Sequence, residues 1–294
     1  MTPFTKNDHI RIIQLLDKKE QLRTSKESLK DEYIDANSIN VDLDVPLYRI
    51  MPIDRLWGLL KEKKLGMVHP LRWDDPYELF LIRSFGLTSH GQEVGFEPII
   101  NSLYGLCFTL KPECDGLWRN FSACSCNQCS FCDWFHNHGK QPVTVKIKTT
   151  GRKLMNFFYD INNPFHTISY WIGKVEYLNV AQISKIINQG INFIMDNTGV
   201  DLINTLLVKR EPFIYEQEVR LLYNMSSHTP FAQLNTPDLF FFNVEPNRLI
   251  DEIEFSPWVS EEDVNILKPQ IANYYSGQIS RSKLYDEPGI HIRV

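Results

Sequence analysis

Residues 216–220 read Glu-Gln-Glu-Val-Arg. Alternate positions of a β-strand share one face, so this spacing predicts Glu216, Glu218 and Arg220 on one side of a strand and Gln217 and Val219 on the other. Two carboxylates and a guanidinium on a common face suit, inside a cleft, a reaction that builds positive charge on a sugar. One carboxylate then stabilises the oxocarbenium-like state and the other handles a proton. On an open sheet the same pattern is a solvated face with cross-strand ion pairs, and spacing alone leaves both readings open.

A second cluster lies at Cys124-Ser125-Cys126-Asn127-Gln128-Cys129-Ser130-Phe131-Cys132, a C-x-C-x2-C-x2-C run followed by His136 and His138. A C-x2-C turn can aim two sulfurs at one metal, so Cys124, Cys126, Cys129, Cys132 and His136 are candidate zinc ligands. Cys126, Cys129 and Cys132 also match the first three ligands of a bacterial iron–sulfur run, with His136 in the fourth place. The third reading is a loop of unliganded, redox-reactive thiols. Because all the ligands are local, the cluster is expected to staple a loop rather than to carry the chemistry. Cys107 is expected in the core, with Cys114 a remote candidate for a further thiol ligand.

The elements that must position these groups follow from periodicity and punctuation. Residues 6–36 read as charged helix, interrupted by a capping box at Thr24-Ser25-Lys26-Glu27. Strands are expected over Val45–Ile50, Leu65–Val68, Tyr104–Leu110, Tyr170–Leu178, Glu218–Tyr223, Leu239–Val244, Ile250–Phe255 and Ile290–Val294. Val143, Val145 and Ile147 alternate with Thr144, Lys146 and Lys148, the period of a half-buried strand. Pro52 starts a helix carrying Ile53, Leu56, Trp57 and Leu60. Ile183 to Met195 forms an amphipathic helix, and Ser260 caps another that runs to about Tyr274. The order is mixed, without regular βαβ alternation. That argues α+β: a mixed, mostly antiparallel sheet core with packed helices. The expected organisation is a helical N-terminal arm over residues 1–40, able to mediate oligomerisation. One α+β domain over 41–294 follows, with the Cys-rich loop inserted at about 122–140.

Composition removes several classes. The chain has 294 residues, with 43% hydrophobic and 23% charged, which is globular rather than disordered. With 31 basic against 36 acidic residues, a dedicated nucleic-acid binder with a basic global field is disfavoured, although a local patch is not. The polar N-terminus lacks a signal-peptide pattern and no apolar run reaches membrane-spanning length. The expectation is a cytoplasmic protein with reduced thiols and no membrane partner.

Four short motifs carry a resemblance. They are Leu47-Tyr48-Arg49; Pro70-x-x-Trp73-Asp74-Asp75-Pro76-Tyr77-Glu78; Cys107-Phe108-Thr109 with Leu117-Trp118-Arg119-Asn120-Phe121-Ser122; and Tyr215-Glu216-Gln217-Glu218-Val219-Arg220. In their order and spacing, over roughly residues 45–290, the sequence resembles the bacterial family called domain of unknown function 2971. The N-terminal arm and the cysteine run depart from that family's pattern. Its layout is similar, distantly, to the ADP-ribosyltransferase fold, in which an early Arg, a middle Ser/Thr and a late Glu-x-Glu or Gln-x-Glu come in the order of Arg49, Thr109 and Glu216–Glu218 here. The resemblance implies an NAD-using transferase or NAD glycohydrolase, in the style of a toxin or phage-defence effector, that modifies a protein or nucleic acid. Glu218 would hold the ribose hydroxyl and Glu216 the acceptor nucleophile. Arg49 would grip the diphosphate or a ribose hydroxyl, Arg220 would help bind the cofactor, Thr109 would position the ligand, and Tyr48, Trp73 or Trp118 would stack on a ring. No Gly-rich phosphate loop is present, so NAD would not sit as in a Rossmann fold. A rival of another class is a non-catalytic nucleic-acid or protein binding module built on the cysteine knuckle and Lys140, Lys146, Lys148, Arg152 and Lys153. A metal-dependent phosphodiesterase is a third reading, weakened by the lack of an obvious His/Asp metal set.

Overall fold

The computed structural model describes residues 30–79, 85–87, 90–95, 101–122, 143–159, 169–187, 200–225 and 238–289. The chain forms two compact units interleaved along its length. The first comprises Met1–Val45, Gly66–Leu110 and Thr150–Phe242, and the second Pro46–Leu65, Lys111–Thr149 and Asn243–Val294. The strands, in chain order, are β1 (Ser38–Ile39), β2 (Pro46–Pro52), β3 (Lys64–Val68), β4 (Phe85–Leu87), β5 (Glu93–Gly95), β6 (Leu103–Thr109) and β7 (Thr144–Thr150). They continue with β8 (Tyr170–Lys174), β9 (Glu176–Leu178), β10 (Val208–Arg210), β11 (Glu218–Asn224), β12 (Leu239–Asn243), β13 (Glu252–Phe255) and β14 (Gln278–Arg281).

In the first unit the sheet runs β1-β8-β11-β6, with β3 on β6 and β12 on β3. The pairs β11·β6, β11·β8 and β3·β6 are antiparallel and β1·β8 is parallel. β11 is central and buried along its whole length. Leu103, Trp171, Ile203, Leu206, Leu207 and Leu222 form the core beside it. Side chains as apolar as these lose water on burial at roughly 25 cal/mol per Å², which fixes the register of β11. The expected strand over Tyr170–Leu178 is two strands. β8 stays in the main sheet, while β9 leaves it to pair in parallel with β10.

In the second unit β2, β7, β13 and β14 lie in that order, with β13 antiparallel to β7 and parallel to β14. The helix Ile53–Glu62 follows β2 directly. It buries Ile53, Leu56, Trp57, Leu59 and Leu60, and it ends where Lys63 turns left-handed at φ 53°. Ser260 caps the helix Glu261–Ala272 by accepting from the Asp263 N–H at 3.1 Å. β7 is not the half-buried strand its alternation predicts. Thr144 and Lys146 are buried as well as Val145 and Ile147, because Lys146 is neutralised in place by Glu254 on β13.

The mixed, mostly antiparallel α+β architecture is as expected. Of the expected arm over residues 1–40, the described part is the helix Lys30–Ala36, which buries Tyr33, Ile34 and Ala36, and the stretch to Asn40, where β1 joins the sheet beside β8; residues 1–29 lie outside the described residues, as do Ile290–Val294 and the part of the expected helix Ile183–Met195 after Ile187. Among the described residues no helix is long and apolar enough to cross a membrane.

Candidate functional site

The site grows from the start of β11. Pro212 opens a short 3-10 helix, Glu211–Glu216, which closes when Gln217 takes the left-handed conformation at φ 42°, ψ 55°. A non-glycine residue there is held against a steric cost of roughly 1–2 kcal/mol. The Gln217 N–H is tied to Ile214 O and its carbonyl accepts from Leu110 N–H. This break corrects the one-face expectation. Glu216 belongs to the 3-10 helix, not to the strand, and only Glu218 and Arg220 share a strand face. Thr109, opposite Glu218 in the β6 register, donates its hydroxyl to the Glu216 carbonyl.

The face is not solvated either. Glu218 is 4% and Arg220 1% exposed. Arg220 grips Glu218 with two bonds, Nε to Oε1 and Nη2 to Oε2, both 2.8 Å. Its Nη2 also reaches Glu78 Oε1 at 2.9 Å and its Nη1 donates to Leu206 O at 2.6 Å. The Trp73 ring lies 4.2 Å from the guanidinium, and β6 admits that ring because residue 105 is glycine. A Cβ there would stand 2.5 Å from Trp73 Cζ2.

Lys209 on β10 is the second cation. Its Nζ lies 2.6 Å from Glu216 Oε2, 3.0 Å from Glu78 Oε1 and 3.4 Å from Glu218 Oε2. The Tyr177 hydroxyl accepts from the Glu218 N–H at 2.8 Å. Beside the cluster, Asp75 caps its own turn by accepting from Tyr77 N–H and holds Arg210 at 2.9 Å. Arg210 lies over the Tyr77 ring.

Environment separates the two glutamates. Burial pushes both carboxyls up. At Glu218 the charge and hydrogen bonds of Arg220, with Lys209 and the Cys107 thiol, outweigh it and bring the carboxyl down to about 2. At Glu216 burial wins over the pull of Lys209, and Glu218 and Glu78 add to the rise. Lys209 is pushed up, its carboxylate neighbours outweighing its burial. Pairs of carboxyls driven apart in this way divide acid–base from electrostatic work.

The structure thus brings together Glu216, Glu218, Arg220, Trp73 and Thr109 in the first unit. Tyr48, Arg49 and Trp118 belong to the second. Arg49 is half-buried on β2, and the pleat turns it to the face opposite Tyr48. Tyr48 and Trp118 instead flank Lys146, whose ammonium lies 5.6 and 5.2 Å from their rings. With Pro112, Glu113, Lys146, Lys148, Glu252 and Glu254, Tyr48 lines a cavity of about 230 Å³. Glu78, Lys209 and Cys107 are site residues that sequence reasoning gave no role. Glu78 ends a quoted motif, and Lys209 interrupts the apolar run Leu206-Leu207-Val208, which is the one signal that could have marked it. The run Cys124–Cys132 and His136 lie outside the described residues. Among the described residues no group of three or more His, Cys, Asp or Glu is placed to hold a metal ion.

The fold and this centre define an α+β protein with a buried carboxylate–cation cluster on a central strand. No family model matches the chain, so the resemblance to domain of unknown function 2971 rests on the four motifs alone, and no curated protein matches it. Among solved structures it is similar to Thermus sp. 2.9 DarT in complex with NAD+, at 14% identity and a TM-score of 0.33, covering 83% of this chain and 98% of that one. The same protein in complex with ADP-ribosylated ssDNA gives 13% identity and a TM-score of 0.34, over 83% and 97%.

Proposed function

We propose that this chain is an ADP-ribosyltransferase-like enzyme that takes NAD as substrate and transfers ADP-ribose to a macromolecule or to water. The observation that carries this reading is the charge balance of the buried cluster. Among the described residues, Glu78, Glu216 and Glu218 face Lys209 and Arg220, one carboxylate more than there are cations. A reaction centre that develops positive charge is what such a site favours.

In this reading Glu218, held ionised, supports the oxocarbenium-like ribose as nicotinamide leaves. Glu216, whose carboxyl is raised, accepts the proton of the attacking nucleophile. Arg220 and Trp73 position Glu218 rather than touch NAD, and Thr109 fixes the Glu216 backbone.

The test is nicotinamide release from NAD labelled in the nicotinamide ring, with and without protein and single-stranded DNA acceptors. Wild type is expected to release nicotinamide. Glu218→Gln should lose roughly 10²–10³ in rate, the usual loss on removing an electrostatic stabiliser. Absence of release by folded wild-type protein under every acceptor condition refutes the reading.

A further inference from the structure

We infer that Lys209 is a positioning residue that sets the protonation state of Glu216 and so the acid limb of the reaction proposed above, on which this inference rests. Arg220 grips Glu218 with two bonds of 2.8 Å, closer than Lys209 at 3.4 Å, and also reaches Glu78. Glu216 has no share in Arg220; the cation at its carboxylate is Lys209, at 2.6 Å. Lys209 is held in place by burial, by Glu78 at 3.0 Å and by the Phe213 ring at 4.8 Å.

The groups that face Glu216 are Glu78 from the 3-10 turn Pro76–Leu79, Tyr177 from β9, Lys209 from β10, and Glu218 with Arg220 behind it from β11. Of these, Lys209 is the cation in contact with Glu216, while Glu78 and Glu218 oppose its ionisation. Burial and those two carboxylates raise the Glu216 carboxyl, and Lys209 is what lowers it. A base must be deprotonated to work. The ammonium therefore favours the ionised, base-competent form of Glu216, without bonding to substrate.

The experiment compares Lys209→Met and Lys209→Arg in the full chain. The first readout is the titration of Glu216 by NMR of protein carrying 13C at the glutamate carboxyls, assigned with Glu216→Gln. The second is the pH profile of nicotinamide release. In Lys209→Met the Glu216 titration and the acid limb both move to higher pH, with a rate loss of about tenfold or more on the acid side of the profile, within the range that acid–base groups contribute. KM for NAD stays within about twofold, and Lys209→Arg restores both. Stability adds a third readout. With its ammonium gone, Glu216 binds its proton more tightly in the native state, so Lys209→Met regains stability relative to wild type as pH falls. A Glu216 titration that does not move in folded Lys209→Met overturns the inference, as does a moved titration with an unmoved acid limb. If wild type releases no nicotinamide, the functional reading falls by itself. The titration and the stability profile then decide the role of Lys209.

Discussion

Replacing Glu218 by Gln keeps the shape of the side chain and removes its charge, and the cluster allows the cost to be worked out. The carboxyl falls from its ordinary 4.5 to about 2 in the fold. At 1.36 kcal/mol per pH unit, the ionised group contributes about 3 kcal/mol to folding at neutral pH. This agrees with the roughly 3–5 kcal/mol lost when one partner of a buried pair is removed. The native value lies below the unfolded one. The contribution is therefore complete above 4.5 and disappears as pH falls through about 2. Glu216 acts with the opposite sign. Its native value is raised, so ionising it costs stability as pH rises through that value. Urea unfolding followed by tryptophan fluorescence should show Glu218→Gln less stable by about 3 kcal/mol at pH 7, a midpoint lower by about 1 M or more. The deficit should shrink steadily between about pH 5 and pH 2, as wild type loses the same charge. A variant as stable as wild type at neutral pH, or a deficit of constant size across that range, refutes the electrostatic account of this centre.

Three other perturbations follow from the same geometry. Gly105→Val should lose about 1–3 kcal/mol by overpacking and displace Trp73 from Arg220, read as a lower Tm and altered tryptophan emission; unchanged melting would count against the packing described. Gln217→Gly should be neutral or stabilising by up to about 1 kcal/mol while Gln217→Val destabilises, because the left-handed turn penalises a β-branched residue most. Equal stability of the two variants would contradict this. In the second unit, Lys146→Met should cost roughly 3–5 kcal/mol by stranding Glu254, and adding Glu254→Gln should recover most of it. Failure of the double variant to recover would show that the cation–π contacts dominate instead.

The apolar runs made most of the strands legible. β2, β3, β6 and β11 sit within a residue or two of where the sequence puts them, because burial of Leu, Val and Tyr at fixed spacing leaves little choice. Charged positions were harder to read. Lys146 looks like the solvent side of an alternating strand, yet it is buried because a glutamate from a distant segment meets it. The Glu-x-Glu-x-Arg pattern puts Glu218 and Arg220 on one face of β11, as the structure does, but misplaces Glu216, since a single left-handed Gln217 outweighs strand alternation. Lys209 and Glu78 have no local signature. Their roles exist only once β10 and the Pro76–Leu79 turn are brought against β11 by tertiary contact.

The interleaving of the two units bears on how the chain is made. Each unit is sewn from three stretches, and the polypeptide passes between them five times, so no single cut yields either one intact. Synthesis is vectorial, and the first unit has all its segments once Phe242 has emerged. The second waits for Asn243–Val294, which supply β13 and β14. Until then Lys146 lacks Glu254 and β7 lacks β13. A chain halted near residue 242 is therefore a whole first unit carrying an unfinished second one. The exposed strand edge of that nascent intermediate is where a chaperone, or aggregation, would act first.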